Sequence, residues 1–138
     1  MRVLEKSFVN TEGKKIHYTL WIPNIKPKAI IQVSHGLAEH VSAYSEFATY
    51  MTEKGFIVIG NDHRGHGRNI LVKEDTGFFA QRKGWEKVVH DLKEMTLLAK
   101  KEFPNIPIVL FGHSMGSFLS RSYIQENSSQ IDGCIICG

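Results

Sequence analysis

The sequence predicts an α/β fold in which a β-hairpin is followed by a βαβαβαβ series in a mainly parallel sheet. Short apolar runs, rich in β-branched residues, recur along the chain, and three of them are followed by segments with apolar residues at helical spacing. Two partly alternating segments separated by turn residues precede these units. Strands that alternate with helices form parallel sheets with helices on both faces, because right-handed crossovers return the chain to the same end of the sheet.

The hairpin is predicted over residues 2–9 and 15–22, where apolar and polar residues partly alternate. Between them, the sequence NTEGK has the composition of a turn. Pro23 and Pro27 end the second strand, since proline cannot donate a ladder hydrogen bond. The run KAIIQVSHG that follows has the character of a buried strand.

Three helices are predicted from apolar spacing. Residues 44–51 form one apolar face and Gly55 supplies the stop. The strand FIVIGND precedes a long helix, whose apolar face runs over residues 85–103 and which ends at Pro104. The strand PIVLFG leads into a third helix from about Met115 to Glu126. The last strand is predicted over residues 131–137.

That last strand is predicted to lie at an open edge of the sheet. Its side chains are mostly apolar, so we expect self-association by strand pairing through residues 131–137. The same segment holds Cys134 and Cys137, which match the Cys-x-x-Cys pattern of redox and metal sites. Side chains three positions apart on a strand face opposite sides, so two buried structural thiols are expected instead.

Composition excludes several classes of function. The chain has 138 residues, of which 42% are hydrophobic and 22% charged, as in one globular domain. The net charge of +3 is spread along the sequence, so nothing indicates a nucleic-acid partner. The N-terminus lacks a signal-peptide core, and no run approaches the roughly 18 apolar residues of a membrane span. A cytoplasmic location is expected, with at most transient contact with membranes or micelles.

Residues 112–116, Gly-His-Ser-Met-Gly, fit the Gly-x-Ser-x-Gly pattern between a predicted strand and a predicted helix. Gly112 and Gly116 permit a tight turn that leaves the Ser114 hydroxyl above the carboxyl end of the strand. The helix N-terminus below it offers free N–H groups to an oxyanion. A Gly-Ser turn without function is the alternative. A phosphate-binding loop is excluded because no lysine follows the second glycine.

A second loop, Ser-His-Gly-Leu-Ala-Glu-His over residues 34–40, follows the first parallel strand. Loops at the carboxyl ends of parallel strands share one crevice, so this loop is expected to face Ser114. Gly36 allows the backbone to turn the N–H of Leu37 toward the position of an oxyanion. The irregular segment 65–84 is expected to border the same site, because loops of this length are usually functional or mobile.

Four histidines lie in the loops after the first two parallel strands: His35, His40, His63 and His66. Ligation of a metal is one interpretation, since folding can bring four imidazoles together. Hydrogen-bonded histidines that hold the loops rigid are favoured instead, with Asp62 and Arg64 as ion-pair or backbone-bonding partners. His17 and His90 are interpreted as ordinary residues.

The residues also resemble a known family. The segments SHGLAEHVSAYSEFATYMTEKGFIVIGNDHRGHGR, GFFAQRKGWEKVVHDL and PIVLFGHSMGS look like the monoacylglycerol lipase and lysophospholipase branch of the α/β-hydrolases, also described as serine aminopeptidase-like. The resemblance implies Ser114 as nucleophile and the N–H groups of Leu37 and Met115 as the oxyanion hole. Members often have Gly at Ala38 and Ser at Asn69, and neither difference touches a reacting atom.

The resemblance further implies that residues 1–138 are a partial α/β-hydrolase core. In this fold the acid and the histidine of the triad follow the serine, and a cap is usually inserted between the two halves. The 138 residues are therefore expected to be inactive alone. The function implied is a cofactor-free and metal-free serine hydrolase of carboxylic esters, such as monoacylglycerols or lysophospholipids. An amide or peptide hydrolase and a non-catalytic half-domain for binding or assembly are the alternatives.

Overall fold

The computed structural model describes residues 1–138, and its elements follow the predicted order. The six strands are Arg2–Val9 (β1), Lys15–Ile22 (β2), Ala29–Ser34 (β3), Phe56–Asn61 (β4), Ile108–His113 (β5) and Gly133–Cys137 (β6). The three α-helices are Ser45–Glu53 (α1), Gly84–Glu102 (α2) and Met115–Asn127 (α3). Short 3-10 helices lie at Val41–Tyr44, Gly67–Asn69, Lys73–Asp75 and Ser128–Gln130. The predicted α/β class, with its hairpin and βαβαβαβ series, is confirmed.

One six-stranded sheet carries the fold, with the strand order β1-β2-β4-β3-β5-β6. The hairpin strands pair antiparallel with each other, and β2 pairs antiparallel with β4. The strands β4, β3, β5 and β6 are parallel neighbours. The carboxyl ends of β3, β4 and β5 therefore meet at one edge of the sheet, where the loops that follow them form a common crevice.

The core lies on both faces of this sheet because neighbouring residues of a strand point in opposite directions. On one face, Ile30 and Ile57 pack in a buried cluster with Met95 of α2. On the other face, Ile31 and Val58 belong to a buried cluster that includes Ala48 of α1. Burial of a large aliphatic side chain stabilises a fold by about 1.5–3 kcal/mol. Because a shift of one residue would turn these side chains to the opposite face, the two clusters fix the register of the strands.

A buried polar network joins α3 to the middle of the sheet. The Thr96 hydroxyl donates to Gln32 Oε1 over 2.6 Å and lies 2.8 Å from the Tyr123 hydroxyl. The Gln32 amide donates in turn to the Leu92 carbonyl over 2.9 Å. The buried side-chain polar atoms of Gln32, Thr96 and Tyr123 thus all have hydrogen-bond partners. The network holds α3 against α2 and β3.

The last strand, β6, lies at the edge of the sheet as predicted. Ile135, Ile136 and Cys137 are exposed there, and Cys134 is half-buried. The expectation of two buried thiols is wrong for Cys137, because no strand or helix covers the outer side of β6. Self-association through this strand stays a prediction. None of the helices combines the length and apolar character that crossing a bilayer demands.

Candidate active site

Ser114 lies between the last residue of β5 and the first residue of α3, as the sequence predicts. Its backbone has φ 54° and ψ −122°, a conformation that residues other than glycine seldom adopt. The residue is exposed, and its N–H donates to the Cys137 carbonyl over 2.8 Å. A strained, exposed serine held by the neighbouring strand is the arrangement expected of a nucleophile elbow.

The glycines on either side of Ser114 are required by close backbone contacts. A Cβ atom on Gly116 would overlap the Ser34 carbonyl oxygen, and one on Gly112 would overlap the Gly116 carbonyl oxygen. The first turn of α3 therefore packs directly against the end of β3. This contact brings the loop after β3 to the serine.

The N-terminus of α3 presents donors at the serine. The N–H of Ser117 donates to the Ser114 carbonyl over 2.8 Å, and the Ser117 hydroxyl donates to the same oxygen over 2.6 Å. Met115 is the first residue of the helix, so its N–H has no acceptor within α3. A free N–H at the positive end of a helix favours a negative charge beside Ser114.

The loop of residues 34–40 contacts the serine from the side of β3. A Cβ atom placed on Gly36 would lie 3.2 Å from Ser114 Cβ. The N–H of Leu37 belongs to no helix or strand and donates to no backbone carbonyl. Ala38 has φ 59°, so the turn adopts the left-handed conformation that glycine accommodates best. The proposed oxyanion roles of Leu37 and Met115 remain predictions.

Three of the four histidines in the loops after β3 and β4 form one buried cluster. The ring centroids of His35 and His63 are 4.1 Å apart, and those of His35 and His66 are 5.4 Å apart. His35 Nδ1 donates to the Gly36 carbonyl over 2.8 Å, and its Nε2 accepts the His63 N–H over 2.9 Å. The His63 Nε2 lies 3.1 Å from the His35 carbonyl. These contacts tie the loops after β3 and β4 together.

No group of three or more His, Cys, Asp or Glu side chains has an arrangement that could hold a metal ion. His40 lies apart from the cluster and is exposed. His66 Nδ1 bonds with the Arg64 carbonyl over 2.9 Å, and both nitrogens of His35 are engaged. The cluster is hydrogen-bonded between the loops after β3 and β4, and its role in supporting the site stays a prediction.

Burial sets the protonation of this cluster. It lowers the pKa of His35 to about 4, with a smaller lowering effect from His66, while the bond to the Gly36 carbonyl acts in the opposite direction. Burial also lowers the pKa of His63 well below its ordinary value, as do the neighbouring rings of His35 and His66. Both rings are neutral at pH 7, because low polarity around a histidine disfavours its charged form.

We expect the polypeptide to lose stability as the pH falls through the interval from about 6.5 to about 4. The unfolded chain binds a proton at His35 from about pH 6.5 downward, whereas the folded chain binds it only near pH 4. At about 1.4 kcal/mol per pKa unit, His35 alone lowers the free energy of unfolding by about 3 kcal/mol at pH 4. Urea unfolding at pH 7, 5.5 and 4, with the His35 ring followed by NMR, checks this. A ring that titrates near pH 6.5 in the folded protein would contradict it.

Asp62 and Arg64 are both buried, and each is hydrogen-bonded. Asp62 accepts the N–H of Val41 over 2.9 Å and the Nε–H of Arg68 over 3.1 Å. Arg64 donates two hydrogen bonds to Asp91 of α2, of 2.7 and 3.1 Å. The bond from Val41 to Asp62 and the ion pair of Arg64 with Asp91 thus connect the loop after β4 to other elements, while the Asp62–Arg68 pair lies within the loop. The supporting role of both residues at the site stays a prediction.

Arg64 has a second acidic partner, Glu12 of the hairpin turn, 2.6 Å from its Nη2. The hydrogen bonds from Lys87 and Arg64 lower the pKa of Glu12. Neither Asp91 nor Glu12 could be identified as a partner from the sequence, because each is far from Arg64 along the chain and no local spacing connects them.

A cavity of about 560 Å³ opens beside the loop that carries Leu37. Its opposite wall comes from residues 65–77 of the irregular segment 65–84, so this part of the segment lies across the cavity from Leu37. Exposed apolar side chains, Leu71, Val72 and Phe78, lie in the same segment. The lining residues are Leu37, Ala38, Glu39, His40, Gly65, His66, Gly67, Ile70, Thr76 and Gly77.

Glu39 is the site residue that the sequence did not single out. Its Oε1 accepts hydrogen bonds from the Gly36 N–H and the Tyr44 hydroxyl. The sequence does contain an indication of this bond. Glu39 follows Gly36 by three positions, a spacing at which a side-chain carboxylate can reach back to a backbone N–H.

Comparison with known proteins places this geometry among hydrolases. The model of the family described as "Serine aminopeptidase, S33" matches residues 25–138. Monoglyceride lipase from Rattus norvegicus is 33% identical over 131 residues, which are 93% of this chain and 40% of the lipase. Monoacylglycerol lipase from Mycolicibacterium smegmatis is 28% identical over 134 residues, which are 97% of this chain and 46% of that protein.

Among solved structures, a thermostable carboxyl esterase from Bacillus coagulans, crystallised in complex with glycerol, superposes with a TM-score of 0.90 at 32% identity. The match covers 99% of this chain and 44% of the esterase chain. The chain thus spans less than half the length of the relatives it matches.

Proposed function

Because the chain belongs to the serine aminopeptidase S33 family of α/β-hydrolases, we propose that it supplies the nucleophile and oxyanion hole of a serine hydrolase of carboxylic esters. The observation that carries this proposal is the strained, exposed Ser114, which lies at the N-terminus of α3 and against Gly36 of the neighbouring loop. A serine in this position is accessible to a carbonyl carbon and surrounded by backbone donors.

The proposed reaction has two steps. Ser114 Oγ attacks the ester carbonyl and its proton passes to a general base, while the N–H groups of Leu37 and Met115 stabilise the oxyanion. The C–O bond to the alcohol then breaks, and the base returns its proton to the departing oxygen. Water attacks the acyl-serine in the same way, which releases the acid and restores Ser114.

We further propose that the base is a histidine outside residues 1–138. His35 and His63 are buried, engaged and low in pKa, so they cannot accept the serine proton near neutral pH. His113 adjoins the serine in sequence, and its Nδ1 lies 3.6 Å from Glu39 Oε1. Neighbouring side chains at a sharp turn diverge, so the His113 ring is not expected to reach the Ser114 hydroxyl. The matched relatives are more than twice as long as the chain, which leaves room for an acid and a histidine in their remaining length.

The substrate class proposed is an ester with one long acyl chain, such as a monoacylglycerol or a lysophospholipid. Relatives at 28–33% identity carry the names monoacylglycerol or monoglyceride lipase. The cavity beside Leu37 is large enough for part of an acyl chain, and Ile70 supplies an apolar wall. The description of the matched family favours a second candidate, hydrolysis of aminoacyl amides by the same serine.

The two candidates are separated by their leaving groups. We expect the complete protein containing these residues to hydrolyse monooleoylglycerol or an aryl ester at least 100-fold faster than alanine p-nitroanilide, measured as kcat/KM. An oxyanion hole serves both reactions, but an amine must be protonated before it leaves. The same comparison with Ser114→Ala shows whether both activities arise at one site. A faster reaction with the anilide would replace the esterase proposal with the peptidase alternative.

A further inference from the structure

A single carboxylate oxygen lies between the loop of residues 34–40 and the strand end that carries the serine. Glu39 Oε1 accepts the N–H of Gly36 over 2.6 Å and the hydroxyl of Tyr44 over 2.5 Å. The same oxygen lies 3.6 Å from His113 Nδ1, next to the serine in sequence. A Cβ atom placed on Gly36 would lie 3.2 Å from both Glu39 Oε1 and Ser114 Cβ, so the carboxylate and the serine both pack against Gly36.

The bond from Gly36 closes the turn that presents Leu37. Gly36 and Glu39 lie three positions apart, and the two residues between them are Leu37 and the left-handed Ala38. A non-glycine residue in the left-handed region is strained, so the turn persists only where its surroundings fix it. A charge-assisted bond across the turn is such a constraint, since it is about twice as strong as a neutral one.

The carboxylate is itself anchored to the sheet. Tyr44 ends the 3-10 helix before α1, and its ring packs edge-on against Phe111 of β5, with centroids 6.5 Å apart. Burial of Glu39 acts to raise the pKa of its carboxyl, but the hydrogen bonds from Tyr44 and Gly36, together with the nearby His113 and His35, lower it below its ordinary value. Glu39 is therefore ionised at neutral pH and accepts both bonds.

We propose that Glu39 is a positioning residue, which holds the loop of residues 34–40 in the geometry that presents the Leu37 N–H beside Ser114. Glu39 acts through Gly36 and the backbone and does not itself react. Tyr44 fixes the carboxylate in turn. The inference builds on the proposed function, because the orientation of Leu37 matters only if an oxyanion forms at Ser114.

The test compares four variants of the complete protein with an aryl ester substrate. Loss of one oxyanion donor costs about 10²–10³ in kcat, so Glu39→Ala is expected to lower kcat by about 10- to 100-fold with little change in KM. Glu39→Gln keeps an acceptor oxygen and is expected to retain activity within about fivefold. Tyr44→Phe should lie between them. Glu53→Ala, which removes an exposed carboxylate at the end of α1, serves as the matched control.

Two further measurements separate positioning from a general loss of structure. Affinity for a trifluoromethyl ketone, which forms an oxyanion on serine, should fall in parallel with kcat/KM in Glu39→Ala. Hydrogen exchange at the Gly36 amide should accelerate at least tenfold, while exchange in β3 and β4 stays unchanged. Wild-type activity in Glu39→Ala, or an unchanged Gly36 amide, would overturn the proposal. If the wild-type protein hydrolyses no ester, the proposed function fails, and the Gly36 amide still decides whether Glu39 holds the loop.

Discussion

Replacement of Ser114 by alanine in the complete protein is expected to lower the turnover of an ester substrate by about a million-fold, to the level left by substrate binding and the oxyanion hole. The hydroxyl is the only group proposed to form a bond with the substrate, and Ser114 contributes no side-chain contact to the core. Its exposed position means that alanine leaves the fold intact. Steady-state hydrolysis of a short-chain aryl ester checks the loss, and unfolding by urea checks the fold.

The matched control is Ser129→Ala, an exposed serine in the last 3-10 helix, which should keep wild-type activity. The KM values of wild-type protein and Ser114→Ala are not expected to be equal. Without the serine hydroxyl no acyl-enzyme forms, and the residual hydrolysis is a direct attack of water on the ester. Retention of more than about one hundredth of the wild-type kcat by Ser114→Ala would be incompatible with covalent catalysis at this residue.

The second large effect is expected for the polypeptide of residues 1–138 tested by itself. It should hydrolyse esters scarcely faster than the uncatalysed background, although it carries the nucleophile. A serine hydroxyl is weakly nucleophilic until a base removes its proton, and loss of the histidine of a triad costs about a million-fold. The oxyanion hole alone is worth roughly a thousand- to ten-thousand-fold over water, and only if Leu37 and Met115 keep their geometry.

This prediction is measured by comparing the 138-residue polypeptide, its Ser114→Ala variant and the complete protein under the same conditions. Circular dichroism and hydrogen exchange in β3 and β5 establish whether the shorter chain is folded. Turnover by a folded 138-residue chain close to that of the complete protein, and lost in Ser114→Ala, would show that a histidine within these residues is the base.

Much of the fold is predictable because its signals are local. The apolar spacing of residues 85–103 and the stop at Pro104 predict α2, which the structure shows at Gly84–Glu102. The Gly-x-Ser-x-Gly pattern predicts the elbow. At positions 112 and 116 the backbone of neighbouring segments lies so close that any Cβ atom would overlap it, and only glycine fits. Both predictions depend on residues within a few positions of each other.

Features that depend on distant residues were not predictable. Arg64 pairs with Asp91 and Glu12, and only the packing of α2 and the hairpin turn against the loop brings these groups together. The edge position of β6 was predicted, but the exposure of Cys137 on it depends on which elements pack over the strand, and the local sequence does not determine that. The bonds at Glu39 likewise require Tyr44 to reach back across the turn, a contact set by the packing of its ring on Phe111.

The most direct test of the central claim is to identify the residue that becomes covalently modified. The complete protein is treated with a fluorophosphonate, digested, and analysed by mass spectrometry. We expect one phosphonyl group, on the Ser114 hydroxyl, formed in parallel with the loss of esterase activity and absent after denaturation, because reaction requires both the oxyanion donors and a base. A stoichiometric adduct on another residue, or loss of activity with Ser114 unmodified, would contradict the assignment of Ser114 as the nucleophile.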